Sequence, residues 1–168
     1  MIVIKSRQEE QASRKTYSSR TTLYNEEDRD RLVRIMPGVF VEADASMSDI
    51  NVMQWLTLRQ PHSIMNLISA LSFHQATTQI PQYLSVALPR GVRLPKVLVM
   101  PVKAWFVTPS LLLDGYEAHQ GDYGAFNVTT LERTLVDCFK YRNKIGLDIF
   151  IDCLLYTSPS PRDVEESR

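Results

Sequence analysis

Ala70-Leu-Ser-Phe-His-Gln-Ala-Thr-Thr-Gln-Ile-Pro-Gln-Tyr-Leu-Ser-Val-Ala-Leu-Pro-Arg-Gly91 is the stretch on which the fold turns. Leu67, Ala70, Leu71 and His74 fall at helical spacing and share one face, so a helix ends near His74. Ile80-Pro81 closes a polar turn. From Tyr83 to Leu88 nearly every residue is apolar, as in a strand covered on both sides. Pro89 cannot donate to a ladder and Gly91 tolerates positive φ, so the strand stops there. A helix–turn–strand unit is expected at the centre of the core.

Upstream, Leu32-Val-Arg-Ile-Met-Pro-Gly-Val-Phe-Val41 reads as a β-hairpin turning at Pro37-Gly38, with Arg34 near its tip. A hairpin of this kind is how the wing of a winged helix reads. Ser46 or Ser48 is placed to cap a helix over 49–59, with Ile50, Met53, Trp55 and Leu56 inward. Downstream, 97–100 and 104–107 read as short strands around Pro101. Residues 109–113 read as one helical turn closed at Asp114-Gly115. Strands over 116–119 and 125–128 flank a turn at 120–124. Thr129-Thr-Leu-Glu132 reads as a capping box opening a helix over 131–141, with Leu131, Leu135, Val136 and Phe139 inward. A further helix starts at Leu147.

The composition is that of an ordinary globular chain: 168 residues, 44% hydrophobic, 23% charged and no formal net charge. Charge is uneven, because residues 1–20 hold Lys5, Arg7, Arg14, Lys15 and Arg20 against Glu9 and Glu10. No apolar run of about 18 residues is present, and Met1-Ile2-Val3-Ile4 is too short for a secretory core. Two cysteines make no disulfide framework. A cytoplasmic protein is the expectation. Cys153-Leu-Leu-Tyr-Thr-Ser-Pro-Ser-Pro-Arg-Asp163 resembles the translation of a transposase-type sequencing-library adapter. Residues 153–168 are therefore expected to be a non-native, disordered tail on a domain cut short near Asp152, leaving Cys138 as the one native cysteine.

Three segments together resemble the AbiEi family, the antitoxins of abortive-infection (type IV) toxin–antitoxin systems. They are the hairpin at 32–41, the pattern Ser69-Ala-Leu, Phe73-His74, Thr77-x-x-Ile80-Pro81 and Pro89-Arg-Gly91, and the segment 126–147. This last segment holds Arg133-Thr-Leu-Val-Asp-Cys-Phe139 and Tyr141-Arg-Asn-Lys-Ile-Gly-Leu147. The resemblance spans roughly 31–152. It implies an α+β protein: residues 1–44 as the remnant of a winged-helix DNA-binding module, and 45–152 as a mixed α/β antitoxin domain. It further implies repression of its own operon at promoter DNA. The protein would also neutralise a nucleotidyltransferase-like toxin without a stable complex. The chain departs from the family at its N-terminus, where 1–31 hold too little periodic apolar sequence for the helices that precede a wing. A truncated or misassigned gene start is the expectation there.

Arg34, Arg31, Arg20, Lys15 and Arg14 are the candidate DNA contacts, since basic side chains near a wing position a protein on the duplex. Arg90, Arg93 and Lys96, with Lys103, form a second basic group around the Pro-Arg-Gly loop, a candidate antitoxin surface. Neither a catalytic set nor a cofactor or metal site is expected. His62, His74 and His119 have no cysteine or carboxylate at ligand spacing. Arg133 and Asp137 are spaced to pair across one helical turn. A hydrolase built from Ser72, His74 and Asp137 lacks a nucleophile-elbow motif. Cys138 reads as an inert core thiol. No glycine-rich phosphate loop is present. The alternative to the antitoxin is a stand-alone winged-helix regulator whose α/β domain senses a ligand or dimerises.

Overall fold

The structure, a computed structural model, describes residues 2–4, 32–112 and 114–157. The protein is of the α+β class. A small sheet comprises β1 (Ile2–Ile4), β2 (Leu32–Met36) and β3 (Val39–Glu42) in the order β1-β3-β2. Helix α1 (Asp49–Arg59) follows. The main sheet contains β4 (Ile64–Met65), β5 (Leu84–Pro89), β6 (Val102–Val107), β7 (Tyr116–Gly121) and β8 (Gly124–Thr129), ordered β6-β5-β4-β8-β7. It is mixed: β5–β6 and β4–β8 run parallel, β4–β5 and β7–β8 antiparallel. Helix α2 (Leu67–Phe73) joins β4 to β5. Helices α3 (Leu131–Lys140), α4 (Arg142–Ile145) and α5 (Leu147–Thr157) close the described chain.

Strand β5 is buried along its length, as its continuous apolar run predicts. Leu84, Val86 and Leu88 enter a cluster with Val52, Met53, Trp55 and Leu56 of α1 and Phe126 and Val128 of β8. On the opposite face, Trp105 of β6 joins Leu67, Leu71, Cys138, Ile145 and Cys153. Period-two alternation along a strand covered on both faces makes this division.

The hairpin forms as read, with Gly38 at φ 79 after Pro37, as the third position of a Pro-Gly turn requires. Strict alternation fails. Ile35 and Met36 are both buried, because a bulge between Arg34 and Met36 turns consecutive residues to one side. Ile35, Met36, Val39 and Val41 enter the same cluster as α1 and β5, so residues on either side of the expected boundary at 44/45 share one core.

Several local expectations are corrected. Ser48, one of the two expected caps, caps α1 by accepting from the Asn51 amide at 3.2 Å, but Ile50, expected inward, is exposed while Val52 is buried. Residues 97–100 form no strand. Pro95 and Pro101 bracket them, the Val97, Val99 and Met100 side chains pack on the first cluster, and the exposed Leu98 donates its amide to the Ile35 carbonyl at 2.8 Å. Thr130 rather than Thr129 caps α3, by accepting from the Arg133 amide at 3.3 Å. Thr129 is occupied otherwise: its hydroxyl donates to the Met65 carbonyl at 3.3 Å and lies 2.7 Å from Thr134 Oγ1. The buried side of α3 carries Thr134, Asp137 and Cys138, with Leu131 and Leu135 partly buried, while Val136 and Phe139 face solvent. Helix α5 runs past Asp152 to Thr157, with Cys153 buried against Cys138's cluster, where the sequence reading placed the break. The rest of the expected tail, 158–168, lies outside the described residues.

Candidate nucleic-acid interface

The Pro37-Gly38 turn, the C-terminal end of α1 and the loop after β5 converge on one surface. A Cβ at Gly38 would lie 3.7 Å from Arg59 Nη2, which puts the Arg59 guanidinium against the turn. Arg34 sits one rung further along the hairpin, opposite Phe40, and is exposed. At the cap of α1, Gln60 Nε2 donates to the Arg93 carbonyl at 3.2 Å, tying the loop after β5 to the helix end. The bond between Leu98 and Ile35 holds the same loop beside β2.

Arg34, Arg59, Arg90, Arg93 and Lys96 are all exposed, and among the described residues none of them forms an ion pair. The two basic groups that the sequence keeps apart, one at the hairpin and one at the Pro-Arg-Gly loop, are thus linked through α1. Arg59 was missed. Its place in the last turn of α1 reads locally as a helix-end cation complementing the dipole, and only the approach of Gly38 gives it another role. Arg14, Lys15, Arg20 and Arg31 lie outside the described residues.

The residues considered for chemistry are committed elsewhere. The His74 ring bonds the Thr129 carbonyl through Nε2 at 2.7 Å. Asp137 accepts from Arg133 Nε at 3.0 Å within α3, as their spacing predicts. Cys138 is fully buried, and burial, with Cys153 and Asp137 beside it, pushes its thiol up to about 12. Its thiol stays protonated at neutral pH. His119 lies among Phe73, Phe126 and the Glu117 carboxylate, the last at 3.5 Å. Among the described residues no group of histidine, cysteine and carboxylate side chains is arranged to hold a metal ion.

Strand β4 passes into α2 through Leu67 at φ 49, a left-handed conformation that a leucine adopts only under constraint. The constraint is a buried polar network. The Asn66 amide donates to the Ser85 carbonyl, Ser85 Oγ donates to Asn66 Oδ1 at 2.9 Å, and Ser69 Oγ accepts from the Ser85 amide at 2.9 Å. The nucleophile elbow of α/β-hydrolases is likewise a sharp, strained strand-to-helix turn. Here the elbow carries a fully buried leucine.

The chain matches no protein-family model, and no curated protein matches it. No helix among the described residues is long and apolar enough to cross a membrane.

Proposed function

We propose that this protein acts by binding rather than by chemistry, as an antitoxin of the AbiEi type that also represses its own operon. The observation that carries the reading is a surface on which Arg34 of the hairpin and Arg59 against its turn adjoin, through Gln60, the loop that holds Arg93. All three are exposed and without ion pairs among the described residues. Exposed guanidinium groups at a hairpin tip suit phosphate contacts that set the register of a protein on duplex DNA. Arg90 and Lys96 continue the basic surface along the Pro-Arg-Gly loop. The toxin class, a nucleotidyltransferase-like enzyme, rests on the resemblance over 31–152. A non-enzymatic role is supported by the engagement of His74, Asp137 and Cys138 in scaffold contacts and by the leucine at the β4–α2 elbow.

The repressor role is tested with a reporter fused to the DNA upstream of the gene. Repression by the wild-type protein, lost in Arg34→Gln/Arg93→Gln at equal protein level, is the expected result. Unchanged reporter output with wild-type protein overturns the regulatory half of the reading.

A further inference from the structure

A second basic surface lies at the other end of the β5–β6 pair, and its cations are held in an unusual way. Lys103 Nζ sits 5.0 Å from the Tyr83 ring and 4.8 Å from the Trp105 ring. Trp105 contacts Tyr141 with ring centroids 4.8 Å apart. Lys140 Nζ is 5.4 Å from the Tyr141 ring, and Arg142 Cζ is 4.5 Å from the Phe139 ring. Lys103 thus lies between the Tyr83 and Trp105 rings, and Trp105 meets Tyr141, whose ring Lys140 also approaches. The Phe139–Arg142 pair lies next along the chain at the junction of α3 and α4, with Lys144 exposed beyond it; together they make a seam of rings and cations. Strand β6 is an edge of the main sheet, and on it Lys103 is exposed while Trp105 is buried.

We infer that this seam binds a single-stranded segment of nucleic acid. A cation paired with a carboxylate spends both its charge and its N–H donors on that partner. A cation seated on an aromatic face is fixed in place by the ring quadrupole while keeping its charge and most of its donors free. Lys103, Lys140, Arg142 and Lys144 form no ion pair among the described residues, and Arg142 uses one donor, Nη1, on the Phe139 carbonyl at 2.9 Å. A polyanion is the complementary partner. The rings decide which polyanion. Phe139 is 53% exposed even with Arg142 over its ring and Phe150 against it, and Tyr141, between Trp105 and Lys140, is partly exposed, so both leave apolar ring surface open beside the cations. Unpaired bases stack on such surfaces, whereas duplex bases have their faces occupied. The seam shares no residue with the arginine surface at the hairpin.

The protein is titrated against fluorescently labelled oligo-U, oligo-dT and a duplex of mixed sequence, with binding read by anisotropy over a range of salt. Wild-type protein binds the single strands. Lys103→Gln/Lys140→Gln weakens that binding at least tenfold and lowers the log–log salt slope by about 1.4, at about 0.7 per lost contact. Phe139→Ala, which removes an exposed ring and no charge, weakens it several-fold with the slope unchanged. Arg34→Gln/Arg93→Gln leaves it unaltered, which separates this site from the hairpin surface. Oligo-U against oligo-dT tells RNA from DNA. Wild-type protein that ignores both single strands, or a Lys103→Gln/Lys140→Gln variant that folds normally and binds them undiminished, overturns the inference.

Discussion

The side-chain oxygen of Gln54 accepts a hydrogen bond from the Tyr123 backbone amide at 2.6 Å. It joins the middle of α1 to the turn between β7 and β8 across 69 residues of sequence. Gln54 is fully buried, and Gly121 leaves the space its amide occupies: a Cβ there would overlap Gln54 Nε2 and Cδ. Trp55, the next residue, packs edge-on to the Tyr123 ring with centroids 5.1 Å apart. The outer hairpin is thus docked on α1 through a glutamine that the hairpin's own glycine admits.

Gly121→Ala forces that amide aside and is expected to cost about 1–3 kcal/mol. Gln54→Ala strands the Tyr123 amide and costs a similar amount. The double variant loses less than the sum, because both changes act on one contact. Urea denaturation of the three variants measures this.

Cys138 sets an alkaline limit. Its thiol is raised from 9.0 to about 12 by burial first, then by Cys153 and Asp137, so the folded protein keeps a proton that the unfolded chain releases. The stabilisation is fully present below pH 9 and is lost as pH rises from 9 toward 12, by at most about 1.4 kcal/mol per pH unit. Tyr123, raised by burial and by Asp122, Glu42 and Asp44, adds a loss of the same sign. Cys138→Ala flattens the slope without abolishing it. Thermal melts between pH 8 and pH 11 would show this.

Asp137→Ala removes the acceptor of Arg133 Nε from a mostly buried site and is expected to cost about 1–3 kcal/mol. Its effect falls on stability alone. DNA and oligonucleotide affinities, measured where the variant is fully folded, stay at the wild-type value.

Neutralising Arg34, Arg59 or Arg93 to Gln weakens duplex binding for all sequences alike. Each lost phosphate contact lowers the salt slope by about 0.9. Filter binding on two unrelated duplexes distinguishes this from base readout, which would weaken one duplex more than the other.

The parts of the fold legible in the sequence are those whose cause is local. The continuous apolar run of β5, the Pro37-Gly38 turn and the spacing of Arg133 and Asp137 each carry their own explanation. Strand β4 was invisible because Ile64-Met65 is a strand only by virtue of β5 and β8 on either side. The phase of α3 was misread because Phe139 is apolar by type, yet it rests on Phe150 and beneath Arg142 at the surface. Thr129 has the chemistry of a cap, but Met65 and Thr134 claim its hydroxyl, so the cap moves to Thr130. The candidate site was half legible. Arg34, Arg90, Arg93 and Lys96 could be named as exposed cations, whereas the approach of the hairpin turn to Arg59 and of the Arg93 loop to Gln60 depends on tertiary contacts.

The antitoxin reading is tested most directly by growth. The gene is co-expressed with its genomic neighbour, each also expressed alone, with protein levels checked in every strain. The account predicts that the neighbour alone arrests growth and that co-expression restores it, with rescue retained by His74→Ala. A neighbour that is harmless alone, or one whose toxicity persists in the presence of the folded protein, would contradict it.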